Sequence, residues 1–349
     1  PRPLLPWNCA TLLAQVPGVS ELTMQYIYPG PDLDLKIELP PMDKNEFEIF
    51  HGHKAVSVLK EVVDHHFMRR FAGPFPEYVT HINGRPMRFL PMFCIRKQDS
   101  TVDNPKNRVL IDASREHPFP FTSEEINEVF SNDCVSDDEF QKFINSFMIR
   151  TLNQNMKEKN VKFTSIQDII KGLFRCKLLF KLDLWKGYRH VVRNKKSFPE
   201  ICMAIKVRHP ITGEILSFSS VDVTCVMGLK NSPHWFETIM QDFTKAFLFH
   251  RPDLFGGKHN LALLYSYLDD YMGGSGHHQG SLKNAMQHSL NQVTYLMEMG
   301  RWLGLTFKHE KLEAPRSYQT LLGVTLDLLQ RTVSLKIGKS HSVSEFKDN

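Results

Sequence analysis

The segment ALLYSYLDDYMGGS, Ala262 to Ser275, alternates along its length and then breaks at Gly273-Gly274, a pattern that predicts a β-hairpin. Its centre holds Asp269 and Asp270 side by side. Neighbouring residues of a regular strand point to opposite faces, so both carboxylates can serve one site only at a tight turn. The glycine pair just beyond is expected to supply the backbone freedom for that turn. A solvent-exposed acidic turn is the plain alternative. The apolar flanks, LALLYSYL before and Tyr271-Met272 after, weigh against it. Carboxylates held close in such surroundings raise one another's pKa unless a cation lies between them.

A third carboxylate stands upstream. CKLLFKLDL, Cys176 to Leu184, reads as an apolar strand ending in an acidic residue, Asp183. Three carboxylates on neighbouring strands could hold two Mg²⁺ ions roughly 3.5–4 Å apart, which suits in-line displacement at phosphorus. A donor set of oxygens without Cys or His fits magnesium, with manganese as a substitute, rather than zinc.

On either side of the Asp269-Asp270 hairpin, SPHWFETIMQDFTKAFLF (Ser232 to Phe249) and Ser281 to Leu303 predict helices. Ser232 is a cap candidate and Pro233 takes the first helical position. Upstream, Glu46 to Phe71 predicts a helix and Gly73-Pro74-Phe75-Pro76 a break. Met87 to Asp112 predicts a hairpin carrying Lys97 and Arg108, and Ser123 to Leu152 a helical region. Downstream, LTFKHEKLEA and SYQTLLGVTLD predict strands. Strands and helices mixed in this order predict an α+β sheet with helices packed on one face.

Composition sets the bounds. The 349 residues leave room for about two domains, and 42% hydrophobic with 23% charged residues is the balance of an ordinary globular protein. The longest apolar stretch, Leu261 to Leu268, is too short to cross a bilayer, and no charged-then-apolar leader opens the chain. These features predict an intracellular protein with no membrane partner, cytoplasm and nucleus not being distinguished. The start at Pro1 and the polar tail Ser340 to Asn349 suggest a piece of a longer polyprotein, whose other domains would be partners. Six scattered cysteines predict reduced thiols, and the paired histidines have no ligand-spaced partners for zinc. The net charge of +5 is mild, but residues 151–200 hold twelve Lys/Arg against four Asp/Glu, a plausible phosphate-facing surface. The acidic stretch Glu124 to Glu139 is expected to face water.

At this point the residues carry a resemblance. LDLWKGYRHV (Leu182 to Val191), VMGLKNSPHWFETIM (Val226 to Met240), YLDD (Tyr267 to Asp270), GLTFKHEKLEAP (Gly304 to Pro315) and LLGVTLD (Leu321 to Asp327) resemble five successive motifs of retroelement reverse transcriptases. The hairpin from Lys97 to Arg108-Val-Leu-Ile-Asp112 resembles the fingers motif that precedes them. A YxDD-type tetrapeptide alone is weak; six motifs in order at compatible spacings are specific. The flavour is similar to DIRS-like or Ty3/gypsy-like retrotransposons.

The resemblance implies a right-hand polymerase fold with fingers and palm, the thumb largely absent. Residues 1–75 would be an N-terminal extension of unassigned role. Residues 76–158 and 191–226 would form the fingers, 159–190 and 227–335 the palm, and 336–349 a polar tail or the start of a thumb or connection. It implies RNA-directed DNA synthesis from dNTPs on an RNA or DNA template with a primer. Asp183 and Asp269 would be the principal metal ligands, with Asp270 completing the cluster. Tyr188 would pack under the incoming sugar and exclude a 2′-hydroxyl. The backbone around Lys186 and Gly187 would approach the triphosphate, and Lys97 and Arg108 would hold its outer phosphates. Met227 and Gly228 would lie against the nucleotide, and Lys311 would protonate the leaving pyrophosphate, with Lys308 three residues away. Tyr267, Leu268, Leu322 and Gly323 would meet the primer and template. Two other readings use the same residues: a catalytically idle, domesticated polymerase fold that binds nucleic acid, and a metal-dependent nuclease. The nuclease explains neither the Lys97/Arg108 hairpin nor Tyr188.

Overall fold

The structure, a computed structural model, describes residues 3–36, 47–97, 100–101, 105–116, 136, 138, 151–209, 211–255, 261–277 and 280–335. It is a mixed α+β protein whose chain divides into two units. The first comprises Pro1–Leu4, Met24–Asn160 and Tyr188–Trp235; the second comprises Leu5–Thr23, Val161–Gly187 and Phe236–Asn349. The expected helical region Ser123 to Leu152, the acidic stretch within it and the polar tail fall almost wholly outside the described residues. Among the described residues, no helix is long and apolar enough to cross a membrane, and all five cysteines are free thiols.

The first unit is built on the antiparallel pair Cys202–Arg208 and Ile215–Asp222, in register from Ile215 opposite Arg208 to Val221 opposite Cys202. Its inward residues Cys202, Ala204 and Val221 pack with Met87 and Phe89. Two sequence expectations change here. The helix expected from Glu46 runs from Gly52 to Phe67, because Ile49 and Phe50 pair as a short parallel strand with Lys206 and Val207. The expected break at Gly73-Pro74 lies inside an edge strand, Phe71–Phe75, which pairs with Ile215–Asp222 across a register shift. An edge strand at a bulge is where a sheet tolerates proline. The Met87–Asp112 hairpin forms as Met92–Arg96 against Asn107–Ile111. Strand alternation sends Asn107 toward the Gly52–Phe67 helix, where its Nδ2 donates to Ser57 Oγ at 3.0 Å. Arg108 lies on the opposite face, and Lys97 follows directly after the Met92–Arg96 strand; both are exposed.

The second unit holds the carboxylates. Its main sheet has three strands, with Asp270–His277 central between Ala262–Tyr267 and Cys176–Asp183. The Leu282–Leu303 helix packs on that sheet; Ser281 caps its start, and Gly304 closes it with a φ of +92°. The predicted hairpin therefore exists, but its glycines do not make the turn. Tyr267 pairs with Asp270, which leaves Leu268-Asp269 as the two-residue connection. Gly273 and Gly274 lie in mid-strand for a packing reason. A Cβ on Gly273 would collide with the Phe180 ring, and one on Gly274 would sit 2.7 Å from Cys176 Sγ. LTFKHEKLEA is not a strand either. Phe307 makes a single bridge to Leu184, and His309–Lys311 form a short 3₁₀ turn. SYQTLLGVTLD folds as the hairpin Tyr318–Leu321 and Val324–Asp327 around Leu322-Gly323, with Thr332–Leu335 as a third strand. Both turn residues have positive φ, 50° and 81°, as a tight two-residue hairpin demands.

Candidate active site

Asp183 closes one strand and Asp270 opens the next, and the register sets them directly opposite each other. Directly opposed residues share a face of an antiparallel sheet, so the two carboxylates stand side by side. Asp269 occupies the adjoining turn and is exposed. Its carbonyl accepts the Leu184 N–H at 2.7 Å, which ties the turn to the end of the Asp183 strand. Gly187 closes the cluster from the side: a Cβ there would stand 3.0 Å from both Asp269 Cβ and the Phe236 ring. All of these residues belong to the second unit.

The charges around them are specific. Lys308 and Lys311 both donate to Asp183, Lys308 to Oδ1 and Lys311 to Oδ2 at 2.7 Å. The Lys308 backbone N–H also donates to the Asp183 carbonyl at 2.8 Å. Burial works to raise the Asp183 carboxyl, but the two ammoniums more than offset it and hold it below its ordinary value. Asp270 goes the other way. Burial raises it, the charges of Asp269 and Asp183 add to that, and the Lys181 ammonium at 2.7 Å from Oδ2 offsets only part. Lys311 is raised, first by its hydrogen bond to Asp183, and so stays protonated.

The donor set is the all-oxygen chemistry a hard divalent cation takes. Its arrangement is that of ion pairs: Asp183 faces two lysines and Asp270 a third. Among the described residues, no three His, Cys, Asp or Glu side chains converge as a ready-made metal cluster. A divalent ion at these carboxylates would have to replace lysine ammoniums as their counter-charge.

The other expected residues divide between the units. In the second, Tyr267 ends its strand and stacks on Phe163 at 5.0 Å, and both Tyr267 and Leu322 border one apolar cluster containing Leu179, Met272 and Leu326. Lys186 has a φ of +53°, and its ammonium lies over the Trp185 ring at 5.1 Å. In the first, Tyr188 sits in the short 3₁₀ helix Gly187–His190. Met227 and Gly228 are the middle of a turn closed by Leu229 N–H on the Val226 carbonyl, and Gly228 takes the positive φ, +101°, that such a turn needs. Asn153 Nδ2 donates to the Gly228 carbonyl at 2.8 Å.

Two residues at the carboxylates were not singled out from the sequence. Lys181 lies two positions before Asp183 on the same strand and hence on the same face, a signal that alternation alone could have supplied. Glu237 lies inside the quoted motif SPHWFETIM, but helical periodicity gives no hint of what its side chain reaches. No family model and no curated protein matches the chain.

Proposed function

We propose that the chain is the polymerase core of a retroelement reverse transcriptase, copying an RNA or DNA template into DNA from dNTPs. One observation carries this reading: Asp183 and Asp270 are direct cross-strand partners, with Asp269 in the turn beside them. One residue distant in sequence and a neighbouring pair thus supply three carboxylates at one end of one sheet. The division of labour supports it too. The carboxylates, Lys311 and Gly187 belong to one unit and the Lys97/Arg108 hairpin to the other, although Tyr188 and Gly228, expected in the palm, fall in the hairpin's unit. In a right-hand polymerase these would be palm and fingers.

Asp183, Asp269 and Asp270 would hold two magnesium ions, or manganese in their place. The ions, when bound, would supply charge stabilisation for nucleotidyl transfer. Lys311 would hold a proton for the leaving pyrophosphate, and its pairing with Asp183 keeps that proton in place beforehand. The exposed Lys97 and Arg108 at their hairpin would offer two cations to phosphate oxygens.

A primer-extension assay with Mg²⁺ tests the proposal. Asp183→Asn and Asp269→Asn should each lower the rate on the order of a thousandfold or more. Near-normal extension by either variant overturns the assignment. A polymerase fold that binds nucleic acid without catalysis is the second reading, favoured by the ion pairs that occupy Asp183 and Asp270. Template-primer binding by the wild type with no incorporation would select it.

A further inference from the structure

The turn that carries Asp269 is held in an unfavourable backbone conformation. Leu268 has a φ of +51°, as the first position of a two-residue hairpin turn demands, a region that a γ-branched side chain enters at a cost. A buried carboxylate reinforces that conformation. The Leu268 N–H donates to Glu237 Oε2 at 2.7 Å. Glu237 is 1% exposed, and its other oxygen accepts Gln241 Nε2 at 2.9 Å. Gln241 Nε2 in turn donates to the Lys162 carbonyl at 2.6 Å, which fixes the pair from behind.

A buried carboxylate is costly unless something compensates it, and cations are the usual compensation. Among the described residues, Glu237 pairs with no Lys, Arg or His; its partners are one backbone N–H and one amide. Burial accordingly pushes its carboxyl above the ordinary value, with those two donors opposing. Such a group is expensive packing, but an ionised acceptor grips an N–H about twice as strongly as a neutral one. The preceding residue, Phe236, lies with Asp269 close against Gly187. The Ser232–His250 helix therefore meets the turn through the Glu237 carboxylate, while Phe236 beside it borders Gly187.

The geometry assigns Glu237 a positioning role: its buried carboxylate holds the Leu268 backbone N–H and so sets the turn that presents Asp269 beside Asp183 and Asp270. It touches no reacting group and acts through the turn. Its effect on catalysis rests on the polymerase reading; its effect on the turn does not.

Two variants separate the possibilities. Glu237→Met keeps the volume and removes the acceptor, while Glu237→Gln keeps an acceptor oxygen. Amide hydrogen exchange at Leu268, read by NMR or on a peptide spanning residues 262–275, should quicken about tenfold to a hundredfold in Glu237→Met and stay near wild type in Glu237→Gln. The urea midpoint of Glu237→Met should be unchanged or raised, because an uncompensated buried charge is gone. In single-nucleotide incorporation, kcat of Glu237→Met should fall by a similar factor with KM for the dNTP little changed, and Glu237→Gln should recover most of it. Wild-type exchange at Leu268 in Glu237→Met overturns the inference. So does a loss of protection spread evenly over the unit with a lowered midpoint, which marks a purely structural residue. If the wild type incorporates no nucleotide, the polymerase reading falls, while the exchange measurement still decides the role of Glu237.

Discussion

Gly187 shows how much a single residue carries at this site. Its place beside Tyr188 makes it a phosphate-approach glycine by resemblance, but the structure gives it a second constraint. A methyl group there would press within 3.0 Å of Asp269 Cβ and of the Phe236 ring, tighter than nearly all real contacts. Neither neighbour is free to yield. Asp269 is tied through its carbonyl to Leu184, and Phe236 is fully buried. Gly187→Ala should therefore lose about 1–3 kcal/mol in urea unfolding and displace the turn that carries Asp269. An unaltered unfolding midpoint would show that the neighbours yield to the added methyl group. Gly273 and Gly274 make the converse point. They were expected to loosen a turn, and instead they make room for Phe180 and Cys176 in the middle of a strand.

Among the elements, the N-terminal segment Leu5–Thr23 lies in the stretch 1–75, expected only as an extension of unassigned role. It belongs to the unit that holds the carboxylates. The Leu5 N–H donates to the Leu303 carbonyl at 2.9 Å, and Asn8 Nδ2 to the Trp302 carbonyl at 2.6 Å, at the end of the Leu282–Leu303 helix. At its other end the Ser20 N–H and the Thr23 hydroxyl both donate to Asp242 Oδ2, at 2.7 and 2.5 Å. Asp242 is 1% exposed and also takes Lys245 at 2.6 Å. One carboxylate of the Ser232–His250 helix thus anchors the segment. Asp242→Ala strands two donors and should lower stability by about 2–3 kcal/mol, measured from the denaturant midpoint. A change within a few tenths of a kcal/mol would mean that apolar packing alone seats the segment. Nothing in PWNCATLL, the short Pro6–Leu13 helix, announces this, because the partner that defines it lies more than two hundred residues away.

For the whole molecule, acid sensitivity near neutrality is read from two half-buried histidines. Burial pushes His66 below the ordinary imidazole value of 6.5, a backbone hydrogen bond opposing in part. Burial does the same at His234, which the Asn160 carbonyl partly opposes and the Lys159 charge reinforces. Below pH 6.5 the unfolded chain binds protons that the folded chain resists. The stability tied to these groups is therefore complete above pH 6.5 and is lost as pH falls through the lowered values. Asp183, held below its ordinary value, loses its contribution only in more acid solution. Glu237 has the opposite sign, since its raised carboxyl favours the fold at low pH. The histidine share is thus best read by difference. His234→Gln should flatten the fall in melting temperature between about pH 7 and pH 5, and an identical slope in wild type and variant would remove His234 from the account.

The chain's local patterns were enough to determine the α+β class, the Ser232 and Leu282 helices, the strand ending in Asp183 and the hairpin around Asp269-Asp270. Each rests on periodicity, capping or turn chemistry within a few residues of itself. Other features were decided by distant partners. Phe180 explains why the glycines lie in mid-strand, and the parallel neighbour Lys206-Val207 draws Ile49-Phe50 out of a helix. Lys181, Lys308 and Lys311 decide which counter-charges the carboxylates meet, and the buried acceptor on Glu237 holds Leu268 in a left-handed turn. The physical reason is the same throughout: backbone periodicity acts over one or two turns of chain, whereas steric exclusion and charge pairing act only between groups that folding has already brought together.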